Sequence, residues 1–404
     1  MKLTIDSGTL ADTVAFAARA LPARPPVPVM AGLKLTAADG QLNIAGFDYD
    51  TSATASAAAD IAEKGSVLVS GRLLSDITRA LKRDVRLSRD GTRLVLESGP
   101  TRFTLHTLPL EEYPTLPTTP AASGIVSGKD FAAAAAQVAR AASRDETLPV
   151  LTGVSITADA DADTLTLAAT DRYRFAVRSL PWDRMTADSP GHALVPAKTL
   201  LDTAKALADD HEITVGLPGE QGTFGLTGEH SRTTVRAIDG DLPKYKALFP
   251  TEFSAVASVE TAALTTAVKR VALVATGNTP VRLRFTADTV TIEAGASDDA
   301  QAIDRVAADL TGEHLSIAFN PTFLLDGLNA IGADTTQFNF TTPPSPPCCT
   351  APTATTSPRT RCATSSCPSA SPTDPAPGRP PSRPGKADRP GPCSLPNQTG
   401  APAP

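Results

Sequence analysis

Three stretches of this chain share one wording at a period of about 120 to 130 residues, so the fold must be built from three like units. Each unit opens with an alanine-rich segment of helical spacing: TVAFAARAL at 13–21, DFAAAAAQVARAAS at 130–143 and ALTTAVKRVALVA at 263–275. In the third, Leu264, Val268, Val271 and Ala275 fall on one helical face. A strand follows, PVMAGLKLT from Pro28, PVLTGVSIT from Pro149 and a weaker PVRLRFTAD from Pro280. A second strand then leads into a second helix, in SVLVSGRLLSDI from Ser66, HALVPAKTLLDT from His192 and SIAFNPTFLLDG from Ser316. Asp76, Asp202 and Asp326 occupy one slot of that helix.

The first unit closes with a hairpin turning at Asp90-Gly91 and then the strand RFTLHTL from Arg102. The middle unit closes alike, with ITVGL, TFGLT and RTTVRAI. The third offers QFNF at 337–340 and stops, so the repeat predicts that two strands are missing.

Composition changes at the same point. All 5 cysteines and 18 of the 36 prolines lie after Thr342, in 62 residues without an aromatic. Such a tail buries too little apolar surface to offset the ordering of its backbone, and is expected to be disordered. Its Cys348-Cys349 and Cys362, Cys367 spacings match no four-ligand zinc pattern, and no histidine follows His314, so neither a metal nor another cofactor is expected. The cysteine-free body needs no disulfide. No apolar run approaches a membrane span and no signal segment opens the chain, which predicts a cytoplasmic protein.

The tail can be read another way. If each codon is taken as the last base of one residue's codon plus the first two of the next, RCATSSCPSASPTD at 361–374 allows VRYLLMPVRLTD and then a stop. The same operation on PSPPCCT at 344–350 allows EPAVLH. Two apolar, strand-like segments emerge in the order the repeat requires, which points to a one-base frameshift near residues 342–344.

The residues now carry a resemblance. LPVLTGVSITADADADTLTLAATDRYRFAVRSLPW at 148–182, RFTLHTLPLEEYP from Arg102, DLPKYKALFP from Asp241 and NPTFLLDGL from Asn320 resemble the bacterial sliding clamp, the beta subunit of DNA polymerase III. The likeness runs through residues 1–342, and ATDRYRFAV is its most specific block. It implies an α+β fold of three repeated clamp domains, at 1–122, 123–249 and 250–342, with the third lacking its last two strands and 343–404 a disordered, Pro-rich tail. It further implies a non-catalytic DNA sliding clamp: a head-to-tail homodimer that encircles duplex DNA without reading sequence. Replicative polymerase, clamp loader and repair polymerases would dock through short peptide motifs.

Basic residues on the helices, among them Arg19, Arg79, Lys82, Arg83, Arg140, Arg144, Lys205, Lys269 and Arg270, suit a weak, salt-sensitive phosphate attraction. The tail holds six of the 37 basic and two of the 43 acidic residues, so the body carries 31 against 41, a net of −10. DNA binding by such a body requires its cations to be segregated. The resemblance assigns DNA contact to Arg24, Arg72 and Lys198, whereas Pro149 and Val150 stand where the family has an aromatic DNA contact. It assigns the wall of a partner-peptide groove to Leu151, Thr170, Arg172, Tyr173, Arg174, Phe175, Pro243 and Leu248. It assigns the dimer interface to Ile77, Phe103 and Leu105 on one side and Leu273 and Val274 on the other. Without its last strands the third domain is expected to be marginal and the product poorly soluble or monomeric.

Enzyme readings find little to stand on. The chain lacks G-x-S-x-G, a Gly-Lys-Ser/Thr phosphate loop and H-E-x-x-H, and its 5 histidines are scattered. Gly216, Gly219, Gly222 and Gly225 belong to a strand-turn-strand stretch, and Asp171 beside Arg172 and Arg174 reads as a surface ion pair before it reads as an acid–base site. The rival reading is a degenerate clamp paralogue that binds DNA or partners without closing a ring.

Overall fold

The computed structural model describes residues 1–159, 163–185, 191–219, 222–244, 252–275, 279–297, 300–341, 348–350 and 360–364. The three repeats belong to one compact unit, Met1–Cys367. Among the described residues six α-helices mark them: α1 (Ser7–Ala17) and α2 (Gly71–Ala80), α3 (Gly128–Val138) and α4 (Ala197–Ala206), α5 (Thr261–Val271) and α6 (Pro321–Ile331). The two helices of each repeat pack on one another, and the first of each pair also lies across strands of its own repeat.

Each first helix begins earlier than its apolar spacing shows and ends in a short 3-10 turn, Ala18–Ala20, Ala139–Ala141 and Ala272–Val274. The early start of α1 comes from capping: the Asp6 carboxylate accepts from the Thr9 N–H at 2.8 Å, satisfying a donor that the helix cannot. Ser127 caps α3 in the same way. Helix α6 carries the fullest signature, with Asn320 accepting from the Thr322 N–H at 2.9 Å, Pro321 in the first turn and Gly332 at φ 64° ending it.

The apolar faces converge on one core per repeat. Leu10 and Val14 of α1 meet Leu33, Leu35, Ile44 and Leu74. Phe131 and Val138 of α3 meet Leu165, Leu167, Leu200 and Phe224. Leu264, Val268 and Val271 of α5 meet Leu283, Ile292, Leu324 and a knot of Phe285, Phe319 and Phe338. Each such side chain contributes about 1.5–3 kcal/mol on burial.

Sheets run through the boundaries between repeats. Ser231–Arg236, which closes the middle repeat, pairs antiparallel with Thr51–Ala58 of the first, setting Ser231 opposite Ala55 and Val235 opposite Thr51. Thr360–Thr364 pairs antiparallel with Arg174–Pro181 of the middle repeat, setting Arg174 opposite Thr364 and Arg178 opposite Thr360. The accepting strands are the same slot: Ala55 lies opposite Ile44 as Arg178 lies opposite Leu167. One seam geometry is thus used twice.

The expectation that the third repeat breaks off after residue 340 needs correcting in this respect. Cys348–Thr350 pairs with 337–339 of Thr335–Phe340, and Thr360–Thr364 pairs with Cys348–Thr350, so two strands continue the sheet from within the tail. Composition missed them because ladder hydrogen bonds come from the backbone and ask little of the side chains. The rest of the tail lies outside the described residues.

Candidate functional site

The block ATDRYRFAV folds into a tight turn and the strand after it. The Asp171 carboxylate accepts from the Tyr173 and Arg174 N–H groups, each at 3.0 Å. Thr170 donates its hydroxyl to the Arg174 carbonyl at 2.7 Å and accepts from the Arg172 N–H at 3.1 Å. These bonds hold Arg172 at φ 80°, a left-handed conformation that few non-glycine residues adopt. The first repeat builds the same turn, with Asp48 accepting from the Asp50 and Thr51 N–H groups and Tyr49 at φ 77°. Asp171 is therefore the carboxylate that closes a turn, and the Asp171–Arg174 pair is largely buried, at 13% and 10% side-chain exposure, where a surface pair was expected.

Arg174 reaches in four directions from this turn. Its Nε donates to Asp171 Oδ2 at 3.0 Å, Nη1 to Asp326 Oδ2 at 2.7 Å, and Nη2 to the Arg140 carbonyl. The guanidinium lies 4.6 Å from the centre of the Phe323 ring, and Tyr173 stacks beside the same ring at 6.2 Å. Phe323 and Asp326 sit on α6, so one side chain fastens the middle repeat to the third through charge-assisted bonds and a cation–π contact. Arg174, assigned to the groove wall from sequence, spends its guanidinium on joining the middle repeat to α6.

Of the residues assigned to the groove, Phe175 lies in a small cluster apart from the main core, with Ala168 and Val177, and Leu242 against them. Leu242 brings its neighbour, the exposed Pro243, to this face. Leu151 is buried on the 3-10 turn Pro149–Thr152, outside that cluster. Thr170 is buried, Arg172 is exposed and Tyr173 is 56% exposed, while Leu248 lies outside the described residues. Sequence reasoning missed Leu242, Val177, Phe323 and Asp326. The Asp326 slot was visible as a repeat, but its partner could come only from the fold.

The first repeat fills the corresponding face differently. In the first, Val29, Met30, Phe47, Leu68 and Tyr113 fill the corresponding space with Leu108, Leu110 and Leu116 packed on them. Thr170 stands in the slot of Phe47, since Phe47 pairs with Ser52 as Thr170 pairs with Phe175. Leu242-Pro243 likewise answers to Tyr113-Pro114. Two large rings thus give way to two smaller side chains at this face.

Arg24, Arg72 and Lys198 are all exposed. Arg72 Nη2 donates to the Ala23 carbonyl at 2.9 Å, which brings the first two together, and Lys198 holds on α4 the place that Arg72 holds on α2. Arg270 is less free, being paired with Asp304 at 2.6 Å, which holds that carboxyl below its usual range. Among the residues assigned to a dimer interface, Leu273 is 83% exposed. Ile77 and Leu105 are interior to the first core, Phe103 packs on that core, and Val274 packs on the third. Leu73 and Ile303, which sequence reasoning passed over, are 49% and 64% exposed. Among the described residues no group of three or more His, Cys, Asp or Glu is placed to hold a metal, and no helix is long and apolar enough to cross a membrane.

Known proteins agree with this architecture. The family models for the N-terminal, central and C-terminal domains of the DNA polymerase III beta subunit match residues 1–117, 125–244 and 246–359. The beta sliding clamp of Streptomyces coelicolor is 57% identical over 350 residues, covering 86% of this chain and 93% of that one. The beta sliding clamp homolog GriR of Streptomyces muensis is 42% identical over 342 residues, covering 84% and 91%. In fold, the Bacillus subtilis DNA polymerase sliding clamp superposes with a TM-score of 0.82 at 24% identity, over 90% of this chain and 98% of that one. The Pseudomonas aeruginosa sliding clamp bound to griselimycin gives 0.83 at 24% identity, over 91% and 99%. The chain belongs to the DNA polymerase III beta subunit family, the beta sliding clamps.

Proposed function

We propose that this chain is a DNA sliding clamp: two copies close head to tail around duplex DNA and tether a polymerase, with no catalytic step of their own. The observation that carries the reading is the seam used twice within the chain and open once. Residues 101–106 end the first repeat as 231–236 end the middle one, and 300–305 hold the place of 51–56 in the third. Among the described residues, 101–106 pair only with Arg93–Ser98, and 300–305 pair only with Thr289–Ser297, leaving one edge of each free. A second copy supplies the missing half of both seams, which is how a heterologous contact closes; because tail strands complete the third sheet, this reading replaces the monomeric or poorly soluble product expected from sequence.

The register carries over. Ala55 and Asp304 lie opposite Ile44 and Ile292 in their hairpins, so the seam sets Thr101 opposite Asp304 and Phe103 opposite Ala302 of the other copy. Beside this edge the 3-10 turns differ. Arg19 and Arg140 occupy the middle of the first two, with Arg19 facing Asp202 across a repeat boundary, whereas the third has Leu273. Leu73 holds on α2 the place of Phe323 on α6. Exposed Leu73 and Leu273 suit an apolar junction between copies. With Ile77 and Leu105 facing inward, their support for that junction is indirect.

Arg24, Arg72 and Lys198 contact phosphates without reading bases. The groove of Phe175, Val177, Leu242, Tyr173 and Pro243, with Leu151, Thr170, Arg172 and Leu248 around it, takes short partner peptides from the replicative polymerase, clamp loader and repair polymerases. The setting is cytoplasmic. Cysteines at Phe103 and Ala302, with the tail cysteines changed to serine, test the closure. Oxidation gives a cross-linked dimer, while a pair offset by one residue links less. Absence of any intermolecular link contradicts the ring.

A further inference from the structure

Three polar side chains of the middle repeat stand in line beside the residues assigned to the groove. Ser155 Oγ shares a hydrogen bond with His192 Nε2 at 3.0 Å, and His192 Nδ1 lies 3.4 Å from Asp241 Oδ1. Ser155 belongs to the strand Gly153–Asp159, His192 opens the strand His192–Pro196 paired with it, and Asp241 follows the strand Ser231–Arg236. The order Ser, His, Asp is that of an acyl-transfer triad. Ser155 is buried, however, so its hydroxyl serves the ring as an anchor.

The line runs on the face of the sheet that carries the small apolar cluster. Ser155 stands opposite Ala168 in the ladder, and Ala168 packs with Phe175 and Val177. Residues directly opposite in an antiparallel pair share a face. The neighbours Val154 and Ile156 belong to the other face and to the main core. The segment that brings Asp241 is fastened first to the edge strand His192–Pro196, where the Ile238 N–H donates to the Leu194 carbonyl at 2.7 Å. Gly240 then takes φ 116° close to Val150, which a β-carbon would meet at 3.0 Å. Next come Asp241 against His192 and Leu242 against the cluster.

We infer that His192 is a positioning residue for the partner-peptide groove: through Asp241 it holds the segment that carries Leu242 and Pro243, and through Ser155 it is itself held to the strand beneath. The inference rests on the groove reading above, and His192 acts through Asp241 without touching the peptide. Cutting the tie leaves Leu242 to be ordered when the peptide binds, and that cost comes off the affinity. The effect is modest in size, because His192 and Asp241 are exposed and a polar contact in water contributes little.

The test titrates a fluorescent, extended peptide with leucine and phenylalanine ends into the full chain and its variants. Asp241→Ala weakens binding about two- to fivefold, and Asp241→Asn, which keeps an oxygen for Nδ1, recovers most of the loss. His192→Phe weakens binding to the same degree, and adding Asp241→Ala to it changes nothing further, since the tie is already cut. Hydrogen exchange at the Leu242 amide quickens in Asp241→Ala. Asp241 is exposed, so its variants keep the parent's melting curve and carry the test where His192→Phe does not fold. Parent affinity in Asp241→Ala, a loss that Asp241→Asn does not recover, or additive losses in the double variant overturns the inference. Tyr173→Ala separates the two readings. If it weakens binding while the Asp241 variants do not, the groove reading stands and the role of His192 falls; if the parent takes up no peptide, both fall.

Discussion

Arg174 Nη1 donates to Asp326 Oδ2 at 2.7 Å, joining the tight turn of the middle repeat to α6 of the third. The pair is mostly shielded from water, at 10% and 32% side-chain exposure, and Arg174 Nε and Nη2 are engaged elsewhere. Removing one partner leaves the other desolvated and unpaired. Arg174→Ala should cost about 2–3 kcal/mol of stability. Arg174→Lys, which keeps the charge but loses the fork, should recover part of it. Urea denaturation of both variants checks this; an Arg174→Ala midpoint equal to that of the parent refutes the strut.

Tyr173 is 56% exposed and stacks beside Phe323 next to the proposed groove, so its side chain can be lost without opening the core. Tyr173→Ala should weaken binding of a peptide with leucine and phenylalanine ends about tenfold or more, while stability moves by less than about 1 kcal/mol. Fluorescence anisotropy and thermal melts on the same sample separate the two effects. Loss of both together makes Tyr173 a packing residue only.

The seams between repeats were legible only in part before the fold was known. Asp76, Asp202 and Asp326 announce a repeated slot, yet Arg174, which meets Asp326, lies in a different element of the repeat. Periodicity reports which face a helix buries and says nothing of what crosses to a neighbour. The groove illustrates the same limit: Phe175 and Pro243 stood out as words of a motif, whereas Leu242 and Val177 acquire their role only when the strand and the following loop meet. Helix starts were misjudged where a single cap, such as Asp6, outweighed the apolar spacing.

Leu273 is 83% exposed, so Leu273→Asp leaves the chain's own packing intact and changes only what docks there. Sedimentation should find the variant monomeric at concentrations where the parent is dimeric, with an unchanged circular dichroism melt. Leu73→Asp should do the same from the other side. A dimer undisturbed by either change removes these residues from the junction.

Arg72 and Lys198 are exposed, and their replacement by glutamate tests phosphate contact. Each lost contact should lower the slope of log affinity against log salt by about 0.9, uniformly across DNA sequences. Unaltered slopes place DNA elsewhere.

Burial pushes the Tyr113 phenol up to about 12 from 10. In the unfolded chain this group ionises near its ordinary value, so the folded state binds the extra proton between these limits. Stability should be intact below about pH 10 and fall between about 10 and 12. Tyr113→Phe should shrink that fall in urea titrations across the range; an identical profile assigns the loss to other groups.

Closure around DNA is tested most directly by topology. The chain is placed on a nicked circular duplex by a clamp loader, and its retention is compared before and after one cut linearises the DNA, in salt high enough to suppress phosphate contacts. A closed ring stays on the circle and runs off the cut ends. Equal retention on circular and linear DNA, or none on either, contradicts the clamp.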